Sequence, residues 1–353
     1  THLFVTPIPH QAAVLGDLLR QKRFDAVIAD ASFFGTIPFL LGERSAHPPI
    51  LAFTPMPLMI SSRDTAAAGL GLPPAADALG RIRNRILKTL SHNVLLRQPH
   101  RAANRVLDRM NSPRLPGVLL AAGLLAGRYI APTVPMFDYP RSDLPRNVRY
   151  VGAVHPLPTR DFPLPPWWGD LDAERPVVHV TQGTVDNADL TRLLEPTIDA
   201  LGGEDVTVVA TTGGRDIADV GVALPRNTFV AEYIPHEILL PKVDVMVTNG
   251  GYGAVQRALA AGVPLVVAGD TEDKPEVAAR VAWSGAGINL RTGTPTPRAL
   301  RRAVREVLTG PRYADGARRL QAAFAQRDGV SEIAALVDEV IAGCSEAEAR
   351  QPY

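Results

Sequence analysis

The residues of this chain that could do chemistry gather behind short apolar runs. Thr181-Gln182-Gly183-Thr184 follows the run 176–180 (PVVHV), and Thr212-Gly213-Gly214 follows 206–211 (VTVVAT). Asn249-Gly250-Gly251-Tyr252-Gly253-Ala254 follows 243–247 (VDVMV) and opens a small-residue segment, 253–261. Glycine lets a backbone N–H approach a ligand, and a helix start offers free N–H donors at its positive end. Three such turns on one sheet edge fit a diphosphate; any one alone is more simply a tight turn. Neither a P-loop nor a G-x-G-x-x-G fingerprint occurs, which disfavours an NTPase or a dehydrogenase. Farther on, GDTEDKP (269–275) adds Asp273 and Lys274, a pair that as readily forms a solvated loop.

The elements that must position these turns alternate. Strands are expected at 24–30, 48–55, 148–154, 176–180, 206–211, 228–235, 243–247 and 263–267, with an edge strand at 287–290. Helices are expected at 11–23, 78–111, 117–127, 187–201, 253–261, 296–308, 315–325 and 331–348. Leu79, Ile82, Ile86 and Leu90 recur at helical spacing in the basic segment 78–111. Alternation of this kind implies an α/β fold with parallel, doubly wound sheets, whose ligands sit beyond the carboxyl ends of the strands. The segment 155–170 holds five prolines and two tryptophans in sixteen residues and breaks the alternation. It divides the chain into a unit over 1–154, a linker over 155–170, a second unit over 171–330, and a last helix within 331–353 that packs back towards the first unit.

Composition narrows the class. The length of 353 residues suits two domains, and 46% apolar residues suffice for a core in each. Basic and acidic residues nearly balance, 37 against 36, which argues against a nucleic-acid partner. The single cysteine, Cys344, forms no internal disulfide and suits a reducing, cytoplasmic compartment. No secretory pattern opens the chain, and the apolar run 117–127 is too short for stable membrane insertion.

Residues 232–287, with aromatic-x-Pro, Leu-Leu-x-x-x-Asp, Gly-Gly-x-Gly, Gly-Val-Pro and an acidic pair in that order, resemble the donor-binding motif of bacterial family 1 glycosyltransferases of the UGT and macrolide type. The resemblance is close over roughly 150–320 and looser before it. It implies a GT-B fold, two Rossmann-like domains across a cleft, and transfer of a sugar from a UDP- or dTDP-sugar to a small lipophilic acceptor such as a polyketide or phenol. The nucleotide sugar is a co-substrate; no cofactor and no metal are implied, and no Asp-x-Asp follows an expected strand. The protein would be a monomer or a homodimer.

Carried over by position, the resemblance places Tyr233 on the nucleotide base and the Ile234 backbone on the base edge, with His236 ordering that turn. Thr181, Gly183, Thr184 and Gly213 would face the diphosphate, and Gly250, Gly251 and Gly253 would shape its turn. Asn249 stands where a histidine usually bonds phosphate and could donate through its amide. Asp273 would bond sugar hydroxyls, and Lys274 stands where glutamine is common. Arg257 replaces the acid that holds ribose, and Ala254 a hydroxyl residue, so a variant donor site is expected. Asp30 matches the acid that orients a catalytic histidine. That histidine belongs to a Gly-His-x-x-Pro loop absent from this sequence, so two or three βα units are expected to precede residue 1, roughly 60–100 residues at ~30 each. Among His2, His10, His47 and His92, His10 is the best substitute; His179 reads as a core residue. The Met-rich loop 51–79, with Met56, Met59 and Leu70, suits a mobile wall for the acceptor. A partner protein that binds nucleotide sugar without turning it over, and a sugar-nucleotide epimerase, remain as alternatives.

Overall fold

The computed structural model describes residues 2–155, 159, 161–172 and 175–349, with no side-chain description for His2, Asp172 and 344–349. His2 and Cys344 as side chains, and linker residues 156–158 and 160, thus lie outside the described residues.

Two parallel sheets form the frame. The first holds β1 (Val27–Asp30), β2 (Ile50–Phe53), β3 (Arg128–Ala131) and β4 (Val148–Tyr150) in that order. The second holds β5 (Val177–Thr181), β6 (Thr207–Thr211), β7 (Thr228–Ala231), β8 (Val245–Thr248), β9 (Leu265–Val267) and β10 (Gly287–Asn289), ordered β10-β9-β8-β5-β6-β7. The helices of the first half are α1 (His2–Val5), α2 (Ile8–Gln21), α3 (Ile37–Leu41), α4 (Ala78–Leu90) and α5 (Arg97–Arg109). Those of the second are α6 (Leu194–Leu201), α7 (His236–Leu239), α8 (Tyr252–Ala260), α9 (Lys274–Ser284), α10 (Pro297–Thr309), α11 (Pro311–Ala325) and α12 (Gly329–Ala349).

The six-stranded sheet is covered on both faces, which is why its strands read as unbroken apolar runs. Along β5, Val177 joins one core with Val209, Met246, Val255 and Leu320, while Val178 and Val180 join the other with Ile198, Val208 and Val304. Successive side chains point to opposite faces, so one run feeds two cores. The strand order reverses between β5 and β8, the switch point where a crevice opens beyond the strand ends. Those two strands lead into the Thr181 and Asn249 turns.

The two halves are packed together. Val134 and Phe137, just after β3, belong to the core of the second half, and Phe137 stacks on Tyr252 at 6.3 Å between ring centroids. In return, Val340 of α12 packs on Leu51 and Ile130 of the first sheet.

Several expectations need correction. The strand β3 was not expected, because RYIA directly follows the apolar run 117–127 and hides in it; that run forms only 3-10 turns over Leu119–Leu125. The helix expected at 187–201 starts at Leu194: Asp189 caps a 3-10 turn over Leu190–Arg192, and Gln182 accepts from Leu193 N and Leu194 N at 3.3 and 2.9 Å. The segment 78–111 is two helices joined by a π turn over Ser91–Leu95. Its stripe of Leu79, Ile82, Ile86 and Leu90 faces solvent, because α4 buries Gly80 and Asn84 instead. Residues after Asp273 form α9 rather than an open loop.

Candidate active site

Three turns meet beyond β5, β6 and β8, and buried amide side chains stitch them together. Asn249 is buried; its Nδ2 donates to the carbonyls of Gln182 at 2.6 Å and Asp186 at 3.3 Å, and its Oδ1 accepts from Gly251 N at 3.4 Å. Asn187 donates to the carbonyls of Thr212 and Gly213 at 2.9 and 3.2 Å. Gln182 donates to Asp189 O at 2.9 Å while capping α6. The expectation that Asn249 donates to phosphate is therefore corrected: both amide protons are spent on carbonyls, and the residue braces the turns. Thr181 is likewise turned inward, its Oγ1 accepting from Gly183 N at 3.1 Å, whereas Thr184 is exposed.

The glycines are required by geometry at two places. Gly213 has φ +71°, and a Cβ there would stand 1.9 Å from the carbonyl oxygen of Gly183. Gly250 has φ +92° and turns the chain from β8 into α8. Gly251 and Gly253 differ: a Cβ at Gly251 would meet only Asn249 Oδ1 at 3.9 Å, and one at Gly253 nothing within 4 Å. The protein leaves the space beside the α8 N-terminus open, where the first-turn N–H groups point.

Below this opening lies a cluster of charges. Lys274 is buried, with Nζ 3.0 Å from Asp186 Oδ2, 3.1 Å from Thr271 Oγ1 and 2.5 Å from Glu272 Oε2. Burial opposes its charge, yet hydrogen bonds to Glu272 and Asp186 outweigh burial and raise its pKa. The hydrogen bond from Thr271, with Lys274, holds Asp186 below the usual carboxylate range. Lys274 is thus a lock on the turn rather than a solvated side chain. Asp273, beside it, is half-buried; burial raises its pKa above the ordinary 3.8, against a hydrogen bond from its own backbone N–H.

A second recess of about 220 Å³ is lined by His155, His236, Glu237, Leu240, Arg257 and Ala261. Burial, then the Arg257 charge, lowers the pKa of His236 to about 4, and the same causes lower that of His155. The ring of His236 meets that of His179 edge-on at 5.9 Å, and burial lowers the pKa of His179, which bonds Val209 O at 3.0 Å, to about 3. Both rings are neutral near pH 7. Nearby, Tyr233 is 50% exposed and presents its ring, while Ile234 is buried.

On the facing domain Asp30 ends β1 and is exposed; its Oδ1 accepts from Ser32 N at 2.7 Å and Ser32 Oγ at 2.5 Å. His10 is exposed on α2, whose next residue, Gln11, accepts from Gly35 N at 3.0 Å in the turn after Asp30. The Met-rich loop is fastened by side-chain hydrogen bonds. Ser62 Oγ donates to Asp143 at 2.5 Å, Asp64 accepts from Ser142 N at 2.6 Å, and Asn84 donates to the carbonyls of Arg63 and Ala75, both at 3.1 Å. Met56 and Met59 are half-buried and Leu70 is exposed. Sequence reasoning passed over Gln182, Asp186 and Asn187. Gln182 lies inside the Thr181–Thr184 turn, but only its bonds to Leu193 N and Leu194 N reveal its work.

Known proteins resemble this chain along most of its length. Residues 195–340 match the family model described as erythromycin biosynthesis protein CIII-like, C-terminal domain. The chain is 48% identical over 341 residues to 4'-demethylrebeccamycin synthase of Lentzea aerocolonigenes, covering 96% of this chain and 79% of that protein. It is 38% identical over 349 residues to UDP-glycosyltransferase 2 of Phaeomoniella chlamydospora, covering 95% and 76%. Among solved structures, the kitacinnamycin glycotransferase superposes with a TM-score of 0.69 at 22% identity over 94% of this chain and 80% of that one. The glycosyltransferase VinC in complex with dTDP superposes with a TM-score of 0.64 at 23% identity, over 94% and 75%. No helix among the described residues is long and apolar enough to cross a membrane.

Proposed function

Because this chain belongs to the family 1 nucleotide-sugar-dependent GT-B glycosyltransferases, we propose that it moves a sugar, with inversion, from a UDP- or dTDP-sugar onto a hydroxyl of a small lipophilic natural product. The observation that carries this reading is the open space at the α8 N-terminus, where a Cβ on Gly251 or Gly253 would meet almost nothing, beside turns braced by Asn249 and Asn187. A diphosphate seated there meets backbone N–H groups and the positive end of a helix. The kinship with a 4'-demethylrebeccamycin synthase and with a UDP-glycosyltransferase supports the acceptor class and the donor class respectively.

The chemistry follows from these positions. The acceptor oxygen attacks the anomeric carbon, the bond from that carbon to the diphosphate breaks with its electrons on the leaving oxygen, and the hydroxyl proton passes to a base. Charge growing on the diphosphate is met by the α8 donors, which are fixed before the reaction begins and require no resident metal. Tyr233 offers its ring to the base, and Arg257 with neutral His236 lines the recess beside it. Asp273 faces the sugar; Asp30 orients the imidazole that takes the proton. His10, on the helix packed against the turn after Asp30, is the first described histidine to test in that place.

The test separates ligand from fold at one atom. Gly251 has room for a methyl group, so Gly251→Ala keeps the melting temperature and, by crowding a diphosphate, lowers UDP or dTDP affinity at least ~10-fold, about 1.4 kcal/mol. Calorimetric titration showing unchanged affinity removes the diphosphate from this turn.

A further inference from the structure

The two domains are fastened beside the donor turns by a cluster of buried charges. Asp138, after β3, accepts from Arg280 Nε at 3.0 Å and from Arg141 at 2.6 Å. Arg280 lies in α9, is 2% exposed, donates to Glu276 Oε2 at 2.7 Å, and reaches the carbonyl of Leu58 at 3.3 Å. Burial would raise the pKa of Asp138, but the charges of Arg280 and Arg141 outweigh burial and hold it low. Two cations and two anions satisfy one another where water is excluded, and removing any one strands its partners.

Glu276 has a second carboxylate oxygen, and it faces the other domain. Its Oε1 accepts from Gly69 N and Gly71 N, both at 2.9 Å. Both glycines hold positive φ, +92° and +58°, which aims their N–H groups at one point, and a Cβ at Gly71 would stand 2.8 Å from the carbonyl of Pro275. The segment 54–77 is therefore a strap. Ser62 and Asp64 tie it to its own domain before the glycines and Asn84 ties it at Ala75 after them; between these ties Glu276, three residues after Asp273, clasps Gly69 and Gly71.

We propose that Glu276 is a positioning residue for glycosyl transfer: by clasping Gly69 and Gly71 it sets the acceptor-side strap, with Leu70 at its tip, against the sugar end of the donor site. The proposal rests on the glycosyltransferase reading above and names how that site keeps water from the anomeric carbon. With the clasp closed, the acceptor hydroxyl is the oxygen at hand. With it open, water attacks the same carbon, giving free sugar, nucleoside diphosphate and a proton in place of the glycoside.

The experiment compares the full chain with Glu276→Ala, Glu276→Gln and Gly71→Ala. The last disturbs the strap by contact with Pro275 and leaves the buried ion cluster whole, so it stands if Glu276→Ala fails to fold. Measured are dTDP and UDP affinity, acceptor KM, kcat, and the ratio of donor hydrolysis to transfer. Amide exchange at Gly69 and Gly71 is followed alongside. The expected result is nucleotide affinity within about 2-fold, acceptor KM raised about 10-fold or more, a higher hydrolysis ratio and faster exchange at the two glycines. Glu276→Gln, which has one acceptor oxygen to share between the glycines and Arg280, falls between. Unchanged acceptor KM and hydrolysis ratio in both Glu276→Ala and Gly71→Ala would overturn the clasp; so would loss of nucleotide affinity in parallel with KM. Failure of the parent chain to bind either nucleotide would instead remove the glycosyltransferase reading beneath it.

Discussion

The two sides of the cleft are built by different means. On the six-stranded side, β5 is buried at every position, and the turns beyond it are braced within a short radius by Asn249, Asn187 and Gln182. On the four-stranded side, β1 alternates between half-buried and exposed, and the strap over the cleft gains its order from partners about 80 and 205 residues away, Asp143 and Glu276. One side is made of motifs, the other of long-range ties. The turns of the six-stranded side are held by side chains from neighbouring turns of the same domain, whereas the strap takes part of its position from the opposite domain.

Three substitutions break or sharpen this contrast. The largest effect belongs to Gly213→Val. Its side chain would collide with the Gly183 carbonyl at a position of positive φ, so two turns must move apart. Nucleotide binding then falls below detection by calorimetry and the melting temperature drops; retained affinity would show that these turns flex more than their bracing suggests. Next is Asp30→Asn on the opposite side. It keeps nucleotide affinity and lowers turnover by a factor of about 10²–10⁴ in a steady-state assay; equal turnover would place proton acceptance elsewhere.

The smallest effect is a pH dependence. His236 titrates at about 4 in the folded protein against an ordinary 6.5, so the unfolded chain binds the extra proton first. Stability is whole above pH 6.5 and is lost as pH falls towards 4. In His236→Gln, thermal melts between pH 7 and 4 lose less than those of the parent chain. Parallel curves would assign the acid sensitivity to other groups, His179 first among them.

This contrast also explains what was legible in the sequence. Strand runs and glycine turns of the six-stranded side are local in the chain, and a family resemblance could be read from residues 232–287 alone. Within those turns, the direction of an amide could not be read: Asn249 has the chemistry of a phosphate ligand and uses it on two carbonyls. Lys274 looked like a loop cation because its partner, Asp186, lies 88 positions earlier. The strap looked mobile because glycine, methionine and proline describe a loop, while its fasteners are spread over Asp143, Asn84 and Glu276. Within the buried cluster the local pairs Glu276–Arg280 and Asp138–Arg141 leave a trace in the sequence, and a helical ion pair is more often on the surface than at a domain junction.

The return of α12 to the first sheet has a consequence for synthesis. Leu51 and Ile130 emerge from the ribosome long before Val340, which packs on them, together with Leu336 and Val337 from the same helix. At ~5–20 residues per second the wait is roughly tens of seconds. Throughout it the nascent first sheet shows an uncovered apolar face, while the helices α6 to α11 that cover the six-stranded sheet are contiguous with its strands. The last helix of the chain thus supplies the earlier half with its last layer. Chaperone dependence, and loss of protein by premature termination before Ile333, should centre on the seam between α12 and the first sheet.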